Sequence, residues 1–349
     1  MNEILYNFPS YTQDIIKSLV DNDWFIHSLE LQNKYDIYNP ADYLYSSEFE
    51  DVEYTIFLDL NIYQYVLSAF KKKNKNRLHR DAVALMVFGK ITNSVFDTTL
   101  AVYEKLNYLE QCPDDLIDEL VLFRRIDNSE IEDLAKFALG LENVIPLGDI
   151  LPIDKENLKS ELTKHRRLKK WDTFYLFVLK IVQLYYFDKS SNEDKIVKFL
   201  QWSFSDFMYS LVAISFVIKL LGNNTMPKLM KYKLGLSAIK RKDAIVNMTW
   251  DFFLLDKFFE NWVKKEPTKE FIYASNDRPL KEVLEIAISI QKNECFDNFE
   301  DQLSPRLIKE LGSISDLMGR DENRSITRVS DFKKFRDELI SNLELEVLS

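Results

Sequence analysis

The stretch Tyr54-Thr55-Ile56-Phe57-Leu58-Asp59-Leu60-Asn61-Ile62-Tyr63 changes its hydrophobic period in the middle. Ile56 to Leu58 is a short apolar run of the kind that fills a buried parallel strand. The run meets Asp59 and turns at once into a helical pattern through Tyr65, Val66, Ala69 and Phe70. A carboxylate at the carboxyl end of a buried strand lies on the rim of an α/β sheet, where such folds hold their ligands. Aspartate also serves there as an N-cap for the following helix.

The pattern recurs late in the chain. Glu270-Phe271-Ile272-Tyr273-Ala274-Ser275-Asn276-Asp277-Arg278-Pro279-Leu280 reads as a second apolar strand ending in small polar residues and an acid, followed by a helix over Leu280–Lys292. Between the two, Ser94-Val95-Phe96-Asp97-Thr98-Thr99 predicts another short strand, with Thr98 or Thr99 capping the helix after it. Glu104 falls about one turn into that helix, beside the apolar side formed by Leu100, Tyr103 and Leu106.

The 349 residues suffice for one large domain or two ordinary ones. A hydrophobic fraction of 46% predicts a packed core, and only 7 glycines and 9 prolines favour long helices over a loop-rich all-β protein. The formal net charge of -10 means that any site for an anionic partner must be local. Cys112 and Cys295 are too few for a disulfide framework, so free thiols in a reducing cytoplasm are expected. Three histidines and no cysteine cluster exclude a zinc finger. Met1-Asn2-Glu3-Ile4 shows no basic region before an apolar one, so no signal peptide is expected. Phe207 to Leu221, interrupted by Lys219, is too short for a membrane span and reads as a core helix.

Residues 1–53 form an N-terminal extension with one amphipathic helix over Tyr11–Val20; an appended lobe and a cover over the sheet are both open. Helical patterns then dominate from Pro113 to Lys233: Asp114–Leu122, Ser129–Leu139, Lys155–Leu168, Trp171–Phe187, Glu193–Trp202 and Phe204–Leu221. Asn143 to Gly148 reads as an edge strand or a loop, since proline is tolerated in either. A long helix is predicted from Gly235 to Val263, stopped by Pro267, and two helices follow at Pro305–Leu317 and Val329–Leu345.

Carboxylates brought together repel unless a cation offsets them, and hard oxygen donors suit Mg²⁺ or Mn²⁺. At this point the residues resemble a family. Ile56-Phe57-Leu58-Asp59-Leu60-Asn61 looks like the first strand of PIN-like domain ribonucleases. Phe96-Asp97-Thr98-Thr99-Leu100-Ala101-Val102-Tyr103-Glu104 is similar to that family's strand and helix carrying the second acid, and Tyr273 to Leu280 resembles its late strand. The third acid lies on the helix before that strand, where Asp243 and Asp251 both qualify. The family's short gap favours Asp251. On one helix Asn247 and Asp251 share a face, whereas Asp243 is offset by about 80°.

The resemblance implies an α/β PIN-like fold, a parallel sheet flanked by helices, assembled from residues 54–110 and 236–292. A helical insertion (111–235) and a helical C-terminal extension (293–349) would complete the chain. It implies a metal-dependent endoribonuclease that hydrolyses RNA phosphodiesters with water, a toxin-like or defence effector, using Mg²⁺ or Mn²⁺. Asp59 and Asp277 would be direct ligands. Glu104 and Asp251 would ligate, hold a water or carry a second ion, with Asn61, Asp243, Asn247 and Ser275 in support.

Basic runs fit an anionic substrate. Lys71, Lys72, Lys73, Arg77 and Arg80, the run Lys164-His165-Arg166-Arg167 with Lys169-Lys170, and Lys240, Arg241 and Lys242 are candidate RNA contacts. A protein regulator or a second copy of the chain would be a further partner, and no membrane association is expected. The alternative is a catalytically inactive PIN-like interaction module; a wholly helical scaffold is a third reading that the two strand–acid turns oppose.

Overall fold

The computed structural model describes residues 5–27, 29, 36–107, 112–164, 170–293, 303–318 and 331–349. It is mixed α/β and predominantly helical, and the chain divides into two compact units. The first comprises Met1–Arg167 with Asn261–Asn276, the second Leu168–Glu260 with Asp277–Ser349.

The first unit runs α1 (Thr12–Asn22), β1 (Phe25–Ile26), α2 (Pro40–Phe49), β2 (Glu53–Leu58), α3 (Leu60–Lys71), α4 (Arg77–Ile91), β3 (Val95–Asp97), α5 (Thr99–Leu106), α6 (Asp114–Asp127), α7 (Ile131–Ala138) and α8 (Lys155–Lys164). The second holds α9 (Trp171–Tyr186), α10 (Asn192–Gln201), α11 (Leu211–Leu221) and α12 (Ala238–Val263), whose last residues from Asn261 belong to the first. Strand β4 (Lys269–Ala274) returns to the first unit, and α13 (Arg278–Asn293), α14 (Pro305–Met318) and α15 (Phe332–Leu348) complete the second.

The strands form one sheet in the order β1-β4-β2-β3. Ile56 of β2 stands opposite Phe96 of β3 and Ile272 of β4, and both pairings are parallel. The apolar run singled out in the sequence is therefore the middle of three parallel strands, with Ile56 and Leu58 fully buried. The middle of helix α4 is apolar on every side: Ala82 through Phe88 are all buried, as a stretch without a polar face must be. α1, α3 and α7 pack around it. Gly89 is needed there, because a Cβ would stand 2.3 Å from the Phe96 ring of β3.

Some open expectations are resolved and others revised. The N-terminal extension contributes a strand: β1 pairs antiparallel to β4, Phe25 opposite Ala274. Helix α5 is entered not through a threonine hydroxyl but through the Asp97 carboxylate, which accepts the Thr99 amide at 2.7 Å. Asn143 to Gly148 is loop, tied down where the Gly148 amide donates to Arg125 O and Ser129 Oγ. The helix expected over Phe204–Leu221 is broken by a π turn at Trp202–Asp206, and α11 begins only at Leu211, where the Ser210 hydroxyl accepts the Ala213 amide.

The second unit is held by aromatic packing. Trp171 lies edge-on to Trp250, Phe174 to Phe253 and Phe177 to Phe207. Helix α11 is buried throughout, and its lysine, Lys219, is compensated by an ion pair to Glu282 at 2.8 Å. No described helix is long and apolar enough to cross a membrane.

Two polar devices stabilise the first unit. Glu119 of α6 is buried and accepts hydrogen bonds from Lys71 of α3, at 2.9 Å, and Lys105 of α5. Burial alone would raise its pKa, but the two ammonium groups outweigh that and hold it below the usual carboxylate value. Since both lysines are partly exposed, Glu119→Gln is expected to cost about 1–3 kcal/mol, read as a lower urea midpoint.

The second device is the start of α4, where Asn76 accepts the His79 amide at 3.0 Å and donates its own amide to His79 Nδ1 at 3.2 Å. His79 is buried although it lies inside a basic run. Its pKa is lowered, first by burial and then by Lys72 and Lys75. The unfolded chain protonates first, so the cap's contribution is complete above about pH 6.5 and is lost as pH falls below it. His79→Gln keeps an acceptor at the same place without a titrating group. It is expected to flatten the loss of stability as pH falls below about 6.5, measured by thermal denaturation at successive pH values.

Candidate functional site

β2 stops where its pairing with β4 stops, at Leu58 opposite Ala274. The Asp59 amide still donates to Ala274 O at 3.0 Å, and its carbonyl accepts the Tyr63 amide, so Asp59 is both the last ladder residue and the N-cap position of α3. Its side chain makes no capping bond to that helix. Instead the buried carboxylate accepts the Ser275 hydroxyl at 2.7 Å and, more weakly, Asn61 Nδ2 at 3.4 Å. The ordinary structural role for an aspartate at a strand–helix turn is thus not the one Asp59 fills.

The residues next to Ser275 come from a part of the chain to which the sequence assigned no role. The Ser275 amide donates to Trp24 O at 3.0 Å, and the Trp24 indole donates to Asn276 Oδ1 at 3.1 Å. Asn276 Nδ2 in turn donates to the Tyr65 hydroxyl at 3.3 Å. No local signal could have found Trp24: the strand that follows it is two residues long and carries no readable period.

The remaining expected acids have different surroundings. Glu104 is half-buried on α5, in the same unit as Asp59. Asp251 and Asp277 belong to the second unit. Of the two candidates on α12, Asp243 is exposed, as is Asn247, while Asp251 is buried. The Asp251 carboxylate meets Lys231 Nζ at 2.5 Å, a cation the sequence reading did not pair with it. Asp277 does cap its helix: its carboxylate accepts the Leu280 amide at 3.4 Å and its carbonyl the Lys281 amide at 3.1 Å.

The basic runs are partly spent on the fold. Lys71 serves Glu119, and Arg77 pairs with Asp21 and Asp81. Arg80 donates to Phe137 O and to the Asn143 side chain and lies over the Phe137 ring. Arg241 reaches the Tyr232 hydroxyl and Ser349 O. Lys72, Lys73, Lys240 and Lys242 are exposed. The run at 164–170 falls largely on residues 165–169, outside the described residues; Lys170 pairs with Glu260 at 3.4 Å.

Among the described residues, no group of three or more His, Cys, Asp or Glu side chains is arranged to hold a metal ion. The groups gathered at the rim are the Asp59 carboxylate, the Ser275 hydroxyl and the Asn61 side-chain carboxamide, whose nitrogen faces Asp59, with one formal negative charge between them. Such a set fits a magnesium or manganese ion that keeps several waters and is bound together with a substrate phosphate, and does not fit an all-protein cage. The chain matches no family model, and no curated protein or solved structure matches it significantly.

Proposed function

We propose that the first unit is a PIN-like, metal-dependent nuclease module acting on RNA, with Asp59 as the anchor of its ion. The observation that carries this is the Asp59 carboxylate: buried at the carboxyl end of the middle parallel strand, in an N-cap position, yet turned away from capping toward Ser275. A buried carboxylate stands there, where burial carries a desolvation cost, at the edge where α/β sheets bind ligands. Asp59 would hold the ion, Ser275 would fix the carboxylate's orientation, and Asn61 would face the ligand shell. A Mg²⁺ or Mn²⁺ ion bound there would polarise a phosphoryl oxygen and acidify a water. Glu104, in the same unit, would hold a water or a second ion, and the exposed Lys72 and Lys73 would meet the anionic backbone. In sequence, Asp251 and Asp277 supply the third and fourth acids of the family's order, and both belong to the second unit.

A second reading, a catalytically silent interaction module, is favoured by two specific contacts. Lys231 neutralises Asp251, and Asp277 caps α13, so both acids have structural work without an ion.

Cleavage of labelled RNA in Mg²⁺ or Mn²⁺ separates them. Asp59→Asn is expected to lower the rate at least about a hundredfold and Ser275→Ala about ten- to a hundredfold, the range typical of groups that orient a metal ligand. The exposed Asp114→Asn should leave the rate unchanged. Equal cleavage by wild type and Asp59→Asn, or no cleavage with either ion, supports the interaction module.

A further inference from the structure

The bond from Ser275 to Asp59 needs more than the strand that precedes it. β4 ends at Ala274, and the bond that fixes the Ser275 backbone is the one that continues the β1–β4 register by one residue, to Trp24. The Trp24 carbonyl accepts the Ser275 amide, and its indole N–H, itself buried, holds Asn276. Asn276 holds the hydroxyl of Tyr65, which stands on α3, the helix that Asp59 opens. The rings of Trp24 and Tyr65 lie 6.4 Å apart at 29°. These contacts close a circuit from Asp59 through Ser275, Trp24, Asn276 and Tyr65 back to α3. Three of its members, Trp24, Asn276 and Tyr65, are carried by three different segments.

We propose that Trp24, Asn276 and Tyr65 are positioning residues that set the Asp59 carboxylate for an ion through Ser275. The proposal rests on Asp59 as the ion's anchor. A carboxylate that must bind an ion with a single charge and neutral oxygens gains most from being held in one orientation, because each degree of freedom it keeps is lost on binding. The circuit supplies that restraint at both ends: at Ser275, which touches the carboxylate, and at α3, which carries it. Satisfying the buried indole N–H needs only one acceptor; the onward bond from Asn276 to Tyr65 is what ties that acceptor to α3.

The test is calorimetric titration of Mn²⁺ into the full chain, beside urea unfolding of each variant. Trp24→Phe keeps the ring and the carbonyl and deletes only the indole N–H; Asn276→Ala removes the middle link; Tyr65→Phe removes the last. Asp59→Asn is expected to abolish binding. Trp24→Phe and Asn276→Ala are expected to weaken it about tenfold or more, and Tyr65→Phe less, with urea midpoints close to wild type. Ser275→Ala should match Asn276→Ala, and combining the two should add little further loss. If wild type takes up no Mn²⁺, or Asp59→Asn binds it equally well, the anchor itself is wrong and the positioning role goes with it. If Asp59→Asn loses the ion while Trp24→Phe and Asn276→Ala bind within twofold of wild type, the anchor stands and the circuit is only structural.

Discussion

The parallel pairing of β2 with β4 is the constraint on which the rim depends. It joins segments more than two hundred residues apart in the chain and sets Leu58 opposite Ala274, so that Asp59 and Ser275 emerge side by side. A slip of one residue in that register would turn Ser275 to the other face of the sheet and leave the Asp59 carboxylate without its hydroxyl. The register is well specified because both strands are apolar and buried, with Ile56, Leu58, Ile272 and Ala274 inaccessible to water. Hydrophobic pairing thus does the positioning, and the polar groups at the strand ends inherit it.

Much of this framework is legible in the residues alone. A three-residue apolar run that breaks at an acid into a 3.6-residue period can be read as strand, turn and helix, because each state leaves its own spacing of apolar side chains. The same holds for α9, α12 and the strand at Phe271. What could not be read depends on partners brought together by the fold. Trp24 precedes a strand too short to show a period, and its place beside Ser275 follows only from pairing with β4. Lys231 lies in a connection with no pattern of its own, so nothing marked it as the cation for Asp251. The choice of Asp97 over its neighbouring threonines as the cap of α5 is a matter of rotamer, decided by local geometry rather than residue type.

The basic residues teach the same lesson about charge. A run of lysines and arginines signals a sign, not a partner, and this acidic chain turns many of its cations inward. Glu119 takes two lysines, Glu282 takes Lys219 and Asp172 takes Arg336. Arg80 is spread over backbone carbonyls and an aromatic face. Each contact ties one helix to another or a helix to a loop, so part of what the composition offers to an anionic partner is consumed in assembling the protein. At the rim, the buried Asp59 carboxylate accepts the Ser275 hydroxyl and the Asn61 side-chain N–H.

The path of the chain between the units has a consequence for synthesis. Strand β4, a central member of the first unit's sheet, is made only after the first stretch of the second unit, Leu168–Glu260. At ribosomal speeds of roughly 5–20 residues per second, β2 leaves the exit tunnel on the order of ten seconds or more before its neighbour exists. Through that interval its apolar edge lacks a permanent mate, the circumstance in which nascent chains most need a chaperone. Maturation of the rim is therefore the closing event of the first unit's assembly.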